Sequence, residues 1–458
     1  MLEKQLQNKK VAVIGFGLEG QAVTKFLLKH GVKPVLFDQN QLSTTNKQYL
    51  KNKSIKFTQG KEAFKKITGF DLVFRSPGVP LSKLKSLTSE ITSQTKYFFE
   101  HCPAQIIGVT GTKGKGTTST LIYKILKESE KRLHRKVYLT GNIGKIQALD
   151  FISRLKPNDL VVYELSSFQL QDLRISPHVA VVLMTTSEHL DYHKNLFEYL
   201  KAKSNITKYQ ASKDFAVVNL DYENSVKIGK QGKGSKNFFS IKKVLSNGSY
   251  YSGEAVYLKN SKHLNPVKII DVKNLLLRGE HNYENVCAAI QATTLLGSSI
   301  FEMQRVLKNF KGLEHRLERL GQKKGISFYN DSFSTTPETT IAAIKSFNEP
   351  EILILGGSSK KSNFKILGKI ISNTHNIKAL ILIGQEAKRI LQEIPKSWLV
   401  SHKIYIGAKN MKEVFSQISK IAIAGDVVLF SPACASFDMF QNYIDRGLQF
   451  KKNYKTFK

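Results

Sequence analysis

The chain has 458 residues, and 41% of them are hydrophobic, which suits two to four globular domains and argues against a disordered or fibrous protein. Its formal net charge of +34 comes mainly from scattered lysines. We interpret these lysines as solvated surface, with attraction of anionic small molecules and nucleic-acid binding as weaker alternatives.

The three cysteines, Cys102, Cys287 and Cys434, stand far apart and lack metal-like spacing, so we expect neither a disulfide framework nor a zinc cluster. No apolar run approaches the roughly 20 residues that span a bilayer, and the N-terminus leads directly into a glycine-punctuated strand. The sequence therefore predicts a cytoplasmic protein without membrane insertion.

The first predicted elements follow the order strand, glycine turn, helix, strand. The segment VAVIGFGLEG places Gly15, Gly17 and Gly20 at GxGxxG spacing, and the next strand, VLFD, ends in Asp38. Taken alone, this pattern predicts an NAD site whose acidic residue meets a ribose. A further strand, DLVF, leads into RSPGVP at residues 75–80, where open parallel sheets bind ligands.

The segment IIGVTGTKGKGTTST at residues 106–120 predicts a strand, a glycine-rich phosphate loop and a helix start. The general Walker pattern is not met, because Val109 occupies the first glycine position and Gly116 follows Lys115 where a Ser or Thr is usual. We therefore expect Thr117 to supply the metal-binding hydroxyl. The alternative is a Gly/Thr-rich turn without a ligand.

The pattern of the later strands predicts that polar and acidic residues lie together at one edge of the sheet. VYLT, LVVYELSS and VAVVLMTT each end in polar or acidic residues, so Glu164, His189 and Asp191 are expected at the carboxyl edge that carries the phosphate loop, although each could be structural. Residues 225–275 predict a polar excursion with short strands, and a third α/β segment has strands near ILILGG, ALILIG and VVLFSP. We predict three α/β domains at residues 1–97, 98–312 and 313–458.

The loop TGTKGKGTT, followed in order by GNIG, ELSSFQL, EHLDYH, HNYEN, HR, NDS and SPACAS, resembles the Mur ligase family over essentially the whole chain. Folylpolyglutamate synthases share the phosphate loop but lack the N-terminal UDP-binding domain and the C-terminal motif. The resemblance implies a Rossmann-like UDP-binding domain, a central P-loop ATPase-type parallel-sheet domain and a C-terminal Rossmann-like α/β domain. It assigns the GxGxxG turn to UDP instead of NAD.

The resemblance is strongest to members that use D-glutamate. It implies ATP-dependent ligation of D-glutamate to UDP-N-acetylmuramoyl-L-alanine through an acyl phosphate, with Mg²⁺, in cytoplasmic peptidoglycan precursor synthesis. The implied partners are these small molecules, with no nucleic acid, and the implied state is a monomer. A degenerate nucleotide-binding protein that binds RNA is the alternative, and retention of Lys115, Glu164, His189, Lys203 and Asp331 argues against it.

The resemblance also implies site residues, in four overlapping groups. The catalytic group is Lys115, Glu164, His189 and Lys203, and the metal ligands are Thr117, Glu164, His189 and Lys203 as a carbamate. The ATP-binding group is Gly111, Thr112, Lys113, Gly114, Lys115, Gly116, Thr117, Thr118, Asn282, Asn285, Arg316 and Asp331. The UDP-substrate group is Gly15, Phe16, Gly17, Asp38, Ser76, Pro77, Gly78, Asn142 and His189. The glutamate group is Thr335, Lys360, Ser436 and Tyr443.

Three positions carry particular weight. The residues alone predict that Lys203 is a surface lysine, whereas the family match at Tyr199, Ala202 and Lys203 implies a carbamylated lysine. Gly116 and Phe333 depart from the pattern of the D-glutamate ligases, in which a Ser or Thr and often a lysine occupy these positions. The loss of a cation at Phe333 leaves the identity and stereochemistry of the incoming amino acid open.

Overall fold

The computed structural model describes residues 6–143, 146–186, 195–261 and 265–457. The chain forms two compact units, Met1–Ile270 with Glu284–Val306 and Asp271–Tyr283 with Leu307–Lys458. The described residues form three sheets of five, nine and six strands. The expectation of an α/β protein with parallel-dominant sheets is confirmed, while the predicted domain boundaries stay a prediction.

The first sheet has the strand order β3-β2-β1-β4-β5, and all of its strands are parallel. Its strands are β1 (Val11–Ile14), β2 (Val35–Asp38), β3 (Phe57–Gln59), β4 (Leu72–Arg75) and β5 (Glu90–Thr92). Its α-helices are Leu18–Lys29, Thr44–Asn52 and Gln94–His101. β1 is apolar and buried at every position, as expected of a strand covered on both faces.

The second sheet has the order β14-β13-β12-β11-β10-β9-β6-β8-β7. Its strands are β6 (Gln105–Thr110), β7 (Val137–Gly141), β8 (Leu160–Glu164), β9 (Val179–Val182), β10 (Phe215–Asn219), β11 (Ser235–Ser240), β12 (Gly248–Ser252), β13 (Ala255–Lys259) and β14 (Val267–Asp271). The run from β7 to β11 is parallel, whereas β12 and β13 form an antiparallel pair. The polar excursion predicted at residues 225–275 thus extends the sheet.

The α-helices that follow β6 and the later strands are Lys115–Glu128, Glu130–Leu133, Ser167–Leu170, Leu196–Lys208, Glu223–Gly229, Glu280–Leu295 and Ile300–Asn309. Because β6 lies between β8 and β9, the loops after these strands meet at one edge of the sheet. The phosphate loop lies at that edge, as the sequence predicts.

The third sheet has the order β15-β16-β20-β17-β18-β19. Its strands are β15 (Glu318–Lys323), β16 (Ile326–Asn330), β17 (Glu351–Gly356), β18 (Ile377–Ile383), β19 (Lys403–Ala408) and β20 (Val427–Phe430). Its α-helices are Pro337–Ile344, Lys365–Asn373, Ala387–Gln392, Lys396–Ser401, Met411–Ile421 and Tyr443–Thr456. The apolar runs in the sequence predicted β17, β18 and β20, but they did not predict β15, β16 or β19.

No helix in the described part of the chain is long and apolar enough to cross a membrane. Cys102, Cys287 and Cys434 are all free thiols.

Candidate active site

The phosphate loop is held by its backbone and by contacts from two later elements. Gly111 and Gly114 adopt positive φ angles of 159° and 84°, and a Cβ at Gly114 would lie 2.3 Å from the Asn285 Oδ1. Thr118 donates a hydrogen bond of 3.1 Å to that same oxygen. Glycine at position 114 is therefore required by both backbone angle and space, and Asn285 braces the loop at the start of the helix Lys115–Glu128.

Lys115 folds back over this loop. Its Nζ donates to the carbonyl oxygens of Gly111 and Thr112, each at 3.0 Å. The Thr112 hydroxyl donates to the Thr186 carbonyl at 3.1 Å and receives the Thr186 N–H at 2.9 Å. The lysine charge and the helix N-terminus thus share one loop, an arrangement that suits an anionic phosphate chain.

Lys203 is buried, which corrects the surface position that the residues alone predict. Only 1% of Lys203 is exposed, and its Nζ donates to Thr110 Oγ1 at 3.2 Å and to the Gly111 carbonyl at 2.9 Å. The same nitrogen lies 4.9 Å from the ring centroid of Tyr199, whose hydroxyl contacts Thr112 Oγ1 at 3.0 Å. Burial places this lysine against the start of the phosphate loop.

Glu164 ends β8 beside the strand that delivers the loop. Its register partner is Val109 on β6, and it is only 6% exposed. A Cβ at Gly141 would lie 2.3 Å from the Glu164 carbonyl, so glycine permits β7 to end close against it. The carboxylate therefore lies at the same carboxyl edge as Thr110, Gly111 and the helix carrying Thr117.

A divalent ion at this edge fits the donor types present. Mg²⁺ takes oxygen ligands, and it commonly binds one or two protein groups together with substrate phosphates and waters. The Glu164 carboxylate and the Thr117 hydroxyl are oxygen donors of this kind. The described ranges contain no group of three or more His, Cys, Asp or Glu side chains that could hold a metal, and a site shared with phosphate does not require such a group.

The GxGxxG turn is fixed by two side chains predicted for the UDP site. The Asp38 carboxylate accepts the N–H groups of Phe16 and Asn40, both at 2.8 Å. The Ser76 hydroxyl donates to the Gly15 carbonyl at 3.0 Å. Asp38 therefore orients the turn, and Ser76 joins it to the loop that contains Pro77 and Gly78.

The other residues predicted for the acceptor site are Asn142 and His189. Asn142 follows β7 and is exposed, while His189, like Asp191, lies outside the described residues.

Among the other residues predicted to bind ATP, Asn282 donates to the Arg278 carbonyl at 2.7 Å. Asn285 belongs to the first compact unit and Asn282 to the second, although one helix carries both.

Asp331 forms the centre of a buried cluster in the second unit. Its carboxylate accepts hydrogen bonds from Ser334 at 2.5 Å, from Ser431 at 2.7 Å and from the Leu317 N–H at 2.9 Å. Burial raises its pKa to about 6, against the lowering effects of these donors and of Arg316. The cluster links the segments that carry the HR, NDS and SPACAS motifs.

Two of the residues that are predicted to bind the substrate glutamate contact each other. Lys360 Nζ donates to Thr335 Oγ1 at 3.4 Å, and both groups belong to loops that follow strands of the third sheet. Ser436 is buried and accepts the Phe440 N–H through its carbonyl at 2.9 Å, and Tyr443 begins the last helix.

Arg446 is a buried residue of this region that the sequence reading missed. Its guanidinium donates to Ser332 Oγ at 3.0 Å and to the carbonyl oxygens of Ser332, Cys434 and Ala435 at 2.8, 3.1 and 3.1 Å. Burial lowers its pKa to about 10. Its position in a helix rich in lysine gave no signal of this role.

Three family profiles match the chain. The Mur ligase MurD-like N-terminal domain matches residues 9–94, the Mur ligase middle domain residues 109–293, and the Mur ligase glutamate ligase domain residues 315–434.

Two curated relatives are similar over nearly the full chain. The UDP-N-acetylmuramoylalanine–D-glutamate ligase of Clostridium tetani is 39% identical, covering 98% of this chain and 97% of its own. The enzyme of the same name from Acetivibrio thermocellus is 37% identical over the same shares.

Solved structures of lower identity share the fold. The UDP-N-acetylmuramate-alanine ligase MurC of Thermotoga maritima has a TM-score of 0.62 at 20% identity and covers 98% of this chain and 100% of its own. The MurF ligase of Thermotoga maritima in complex with ADP has a TM-score of 0.56 at 18% identity and covers 99% and 97%.

Proposed function

Because the chain belongs to the Mur ligase family, we propose that it is the ligase that joins D-glutamate to UDP-N-acetylmuramoyl-L-alanine at the expense of ATP. The observation that carries the proposal is the similarity of the whole chain, including its MurD-like N-terminal domain, to curated ligases of that name. The family predicted from the sequence motifs is confirmed.

Lys115 and the loop amides would neutralise the phosphates of ATP. The acceptor carboxylate must approach the γ-phosphate, and two anions meet only where fixed positive charge and dipoles face them. Lys115 is already oriented by the Gly111 and Thr112 carbonyl oxygens, so phosphate would exchange for these contacts without a large movement of the side chain. Asn282, Arg316 and Asp331 are also proposed to bind ATP.

Mg²⁺ would be held by Thr117, Glu164, the carbamate of Lys203 and His189. When bound, the ion would neutralise charge on the transferring phosphate. A carbamate nitrogen keeps one N–H, so Lys203 could retain its 2.9 Å bond to the Gly111 carbonyl while presenting new oxygens. Burial of this side chain favours the uncharged amine that carbamylation requires.

The two substrates would occupy separate loops. The turn at Gly15, Phe16 and Gly17, with Asp38 and residues 76–78, would hold the uridine diphosphate, and Asn142 and His189 would face the sugar-peptide end. The acceptor carboxylate takes the γ-phosphoryl group of ATP, ADP leaves, and the glutamate amine displaces phosphate from the acyl phosphate. Lys360, Thr335, Ser436 and Tyr443 would hold the carboxylates of glutamate.

We further propose that the protein acts as a monomer in the cytoplasm and has no nucleic-acid partner. The lysines are scattered along the sequence and are not concentrated in one basic segment. The substrates of this reaction are all anionic.

Measurement of ADP release with single-substrate omissions tests the proposal. We expect release to require ATP, Mg²⁺, UDP-N-acetylmuramoyl-L-alanine and an amino acid, with D-glutamate preferred over L-glutamate and other amino acids. Release that does not depend on the UDP-sugar acceptor would contradict it. Salt-sensitive RNA binding without turnover would instead support the degenerate nucleotide-binding alternative.

A further inference from the structure

A buried polar junction joins the UDP-turn segment to the ELSSFQL segment. Glu19 belongs to the GxGxxG motif and to the first turn of the helix Leu18–Lys29, and it accepts a 2.7 Å hydrogen bond from Gln169 Nε2. Gln169 Oε1 in turn accepts the N–H and hydroxyl of Ser166 at 2.9 and 3.0 Å. These hydrogen bonds connect Glu19 to Ser166, which lies two residues after Glu164.

Arg75 makes a second link between the same two segments. Its guanidinium, with no exposed side-chain surface, contacts the Asp172 Oδ2 at 2.8 Å. It also donates to the carbonyl oxygens of Pro77 at 3.1 Å and Val79 at 2.8 Å, inside the RSPGVP loop. The arginine therefore holds the proposed uridine loop against the segment that follows ELSSFQL.

Three buried oxygen atoms at this junction have no hydrogen-bond partner among the described residues, namely Glu19 Oε2, Gln94 Oε1 and Asp172 Oδ1. The first two oxygens belong to side chains that line one small pocket. The Gln94 amide nitrogen is already engaged with Gln147 Oε1 at 3.0 Å. A proton on Glu19 Oε2 would satisfy the Glu19 and Gln94 oxygens, because a carboxylic acid can donate to an amide oxygen.

The charges around Glu19 are compatible with a protonated acid. Burial raises its pKa to about 7, against the lowering effects of the Gln169 side chain, Arg75 and the Gln94 side chain, while Asp172 raises it. Arg75 is paired with Asp172, and the other titratable neighbour is Tyr163, a buried phenol that contacts Thr95 Oγ1 at 3.1 Å. Near neutral pH a substantial fraction of Glu19 therefore carries the proton.

We propose that Glu19 and Arg75 are positioning residues that hold the UDP turn at a fixed distance from the Glu164 edge, with Glu19 acting as a neutral acid that bridges Gln94 and Gln169. The inference rests on the proposed function, because its consequence concerns the UDP-sugar acceptor. This acceptor must reach from its uridine site to the γ-phosphate, so a shift of the turn by about 1 Å would misplace the reacting carboxylate.

The test compares Glu19→Ala with Glu19→Gln in the full-length protein. We expect Glu19→Ala to lower kcat/KM for the acceptor by about ten- to a hundredfold, since misplacement of that order carries such a loss. The Kd for free UDP, measured by calorimetry, and the KM for ATP should each stay within about twofold, because each local site is intact. Glu19→Gln can accept from Gln169 and donate to Gln94, and it should restore most of kcat/KM.

The pH profile supplies a readout that a merely structural role would not move. In the wild-type protein, kcat/KM for the acceptor should fall above about pH 7, where Glu19 loses its proton, and Glu19→Gln should flatten this decline. Glu90→Ala is the matched control, since Glu90 is a carboxylate of the same sheet in an exposed ion pair with Lys9. Its kinetics should match those of the wild type.

Three results would overturn the inference: unchanged kcat/KM in Glu19→Ala, an equal loss of affinity for free UDP, or no rescue by Glu19→Gln. Thermal unfolding of each variant identifies any that fails to fold, and Asp172→Asn then replaces it, because this change weakens the Arg75 link while keeping side-chain size. Failure of the proposed function would be distinct, since the wild-type protein itself would show no acceptor-dependent ADP release.

Discussion

The guanidinium carbon of Arg316 lies 3.8 Å from the ring centroid of Phe333. Phe333 also packs against Tyr443 edge to face, with ring centroids 5.0 Å apart. The family resemblance implies a lysine at the position of Phe333. In this chain the aromatic ring instead supports a cation supplied by Arg316.

Phe333→Leu should raise the KM for ATP by about two- to thirtyfold. The change keeps apolar bulk but removes the π face, and a cation–π contact is worth about 0.5 to 2 kcal/mol. Steady-state kinetics at saturating acceptor would measure the effect. Phe333→Tyr keeps the ring face and should resemble the wild type; an equal effect of both substitutions would show that the stack does not position Arg316.

Lys203→Ala should lose most activity, because it removes both the proposed carbamate and the contacts to Thr110 and Gly111. Excess bicarbonate or a short-chain carboxylic acid should partly restore it by supplying the missing oxygens in the vacated space. Rates of ADP release with and without the additive measure the rescue. Lys201→Ala, on the exposed side of the same helix, is the control. Full activity of Lys203→Ala would contradict the carbamate proposal.

Gly114→Ala should reduce ATP turnover by more than about tenfold, because a Cβ would collide with Asn285 and displace the loop. The positive φ adds a stability cost of about 1–2 kcal/mol. Gly425→Ala is the matched control, since Gly425 has a φ of 95° with no atom near its Cβ position. The control should lose similar stability in urea unfolding and keep its kinetics. Normal turnover in Gly114→Ala would refute the steric argument.

Glu351 predicts a pH dependence of stability. It begins β17, both of its side-chain oxygens are buried without a hydrogen-bond partner in the described chain, and burial raises its pKa well above 4.5, with a further contribution from Glu349. Because the folded-state pKa is raised, the favourable contribution is complete below about pH 4.5 and is lost as the pH rises through the folded-state pKa.

Glu351→Gln should therefore have a higher free energy of unfolding than the wild type at pH 8 and a flatter profile between pH 5 and pH 8. Urea unfolding at each pH measures both quantities. Glu338→Gln removes an exposed carboxylate of the same unit and should leave the wild-type profile unchanged. A Glu351→Gln profile that parallels the wild type would count against a raised folded-state pKa of Glu351.

The parts of the fold that were predictable depend on local patterns. Buried strands such as Val11–Ile14 are continuous apolar runs, and glycines such as Gly114 mark turns that need positive φ, so both can be recognised in short windows. The strand Lys403–Ala408 was missed, and it lies at one edge of its sheet with mixed exposure. Such a strand lacks the apolar run that identified its neighbours.

The site residues that could not be predicted depend on distant partners. Lys203 lies among other lysines in its helix, and only the packing of that helix against Thr110 and Gly111, more than 90 residues earlier, buries its amine. Glu19 and Gln169 are separated by 150 residues. No local pattern carries information about such pairs, so family motifs could suggest Lys203 while the junction at Glu19 emerges only from the structure.

The late position of Arg446 in the sequence determines when its contacts can form during synthesis. The ribosome adds it 114 residues after Ser332, whose loop it holds together with the Cys434 and Ala435 carbonyl oxygens. Until the final helix has been synthesised and has docked, these carbonyl groups lack the guanidinium that joins them. The proposed glutamate site therefore cannot acquire these contacts before Arg446 has been synthesised and its helix has packed.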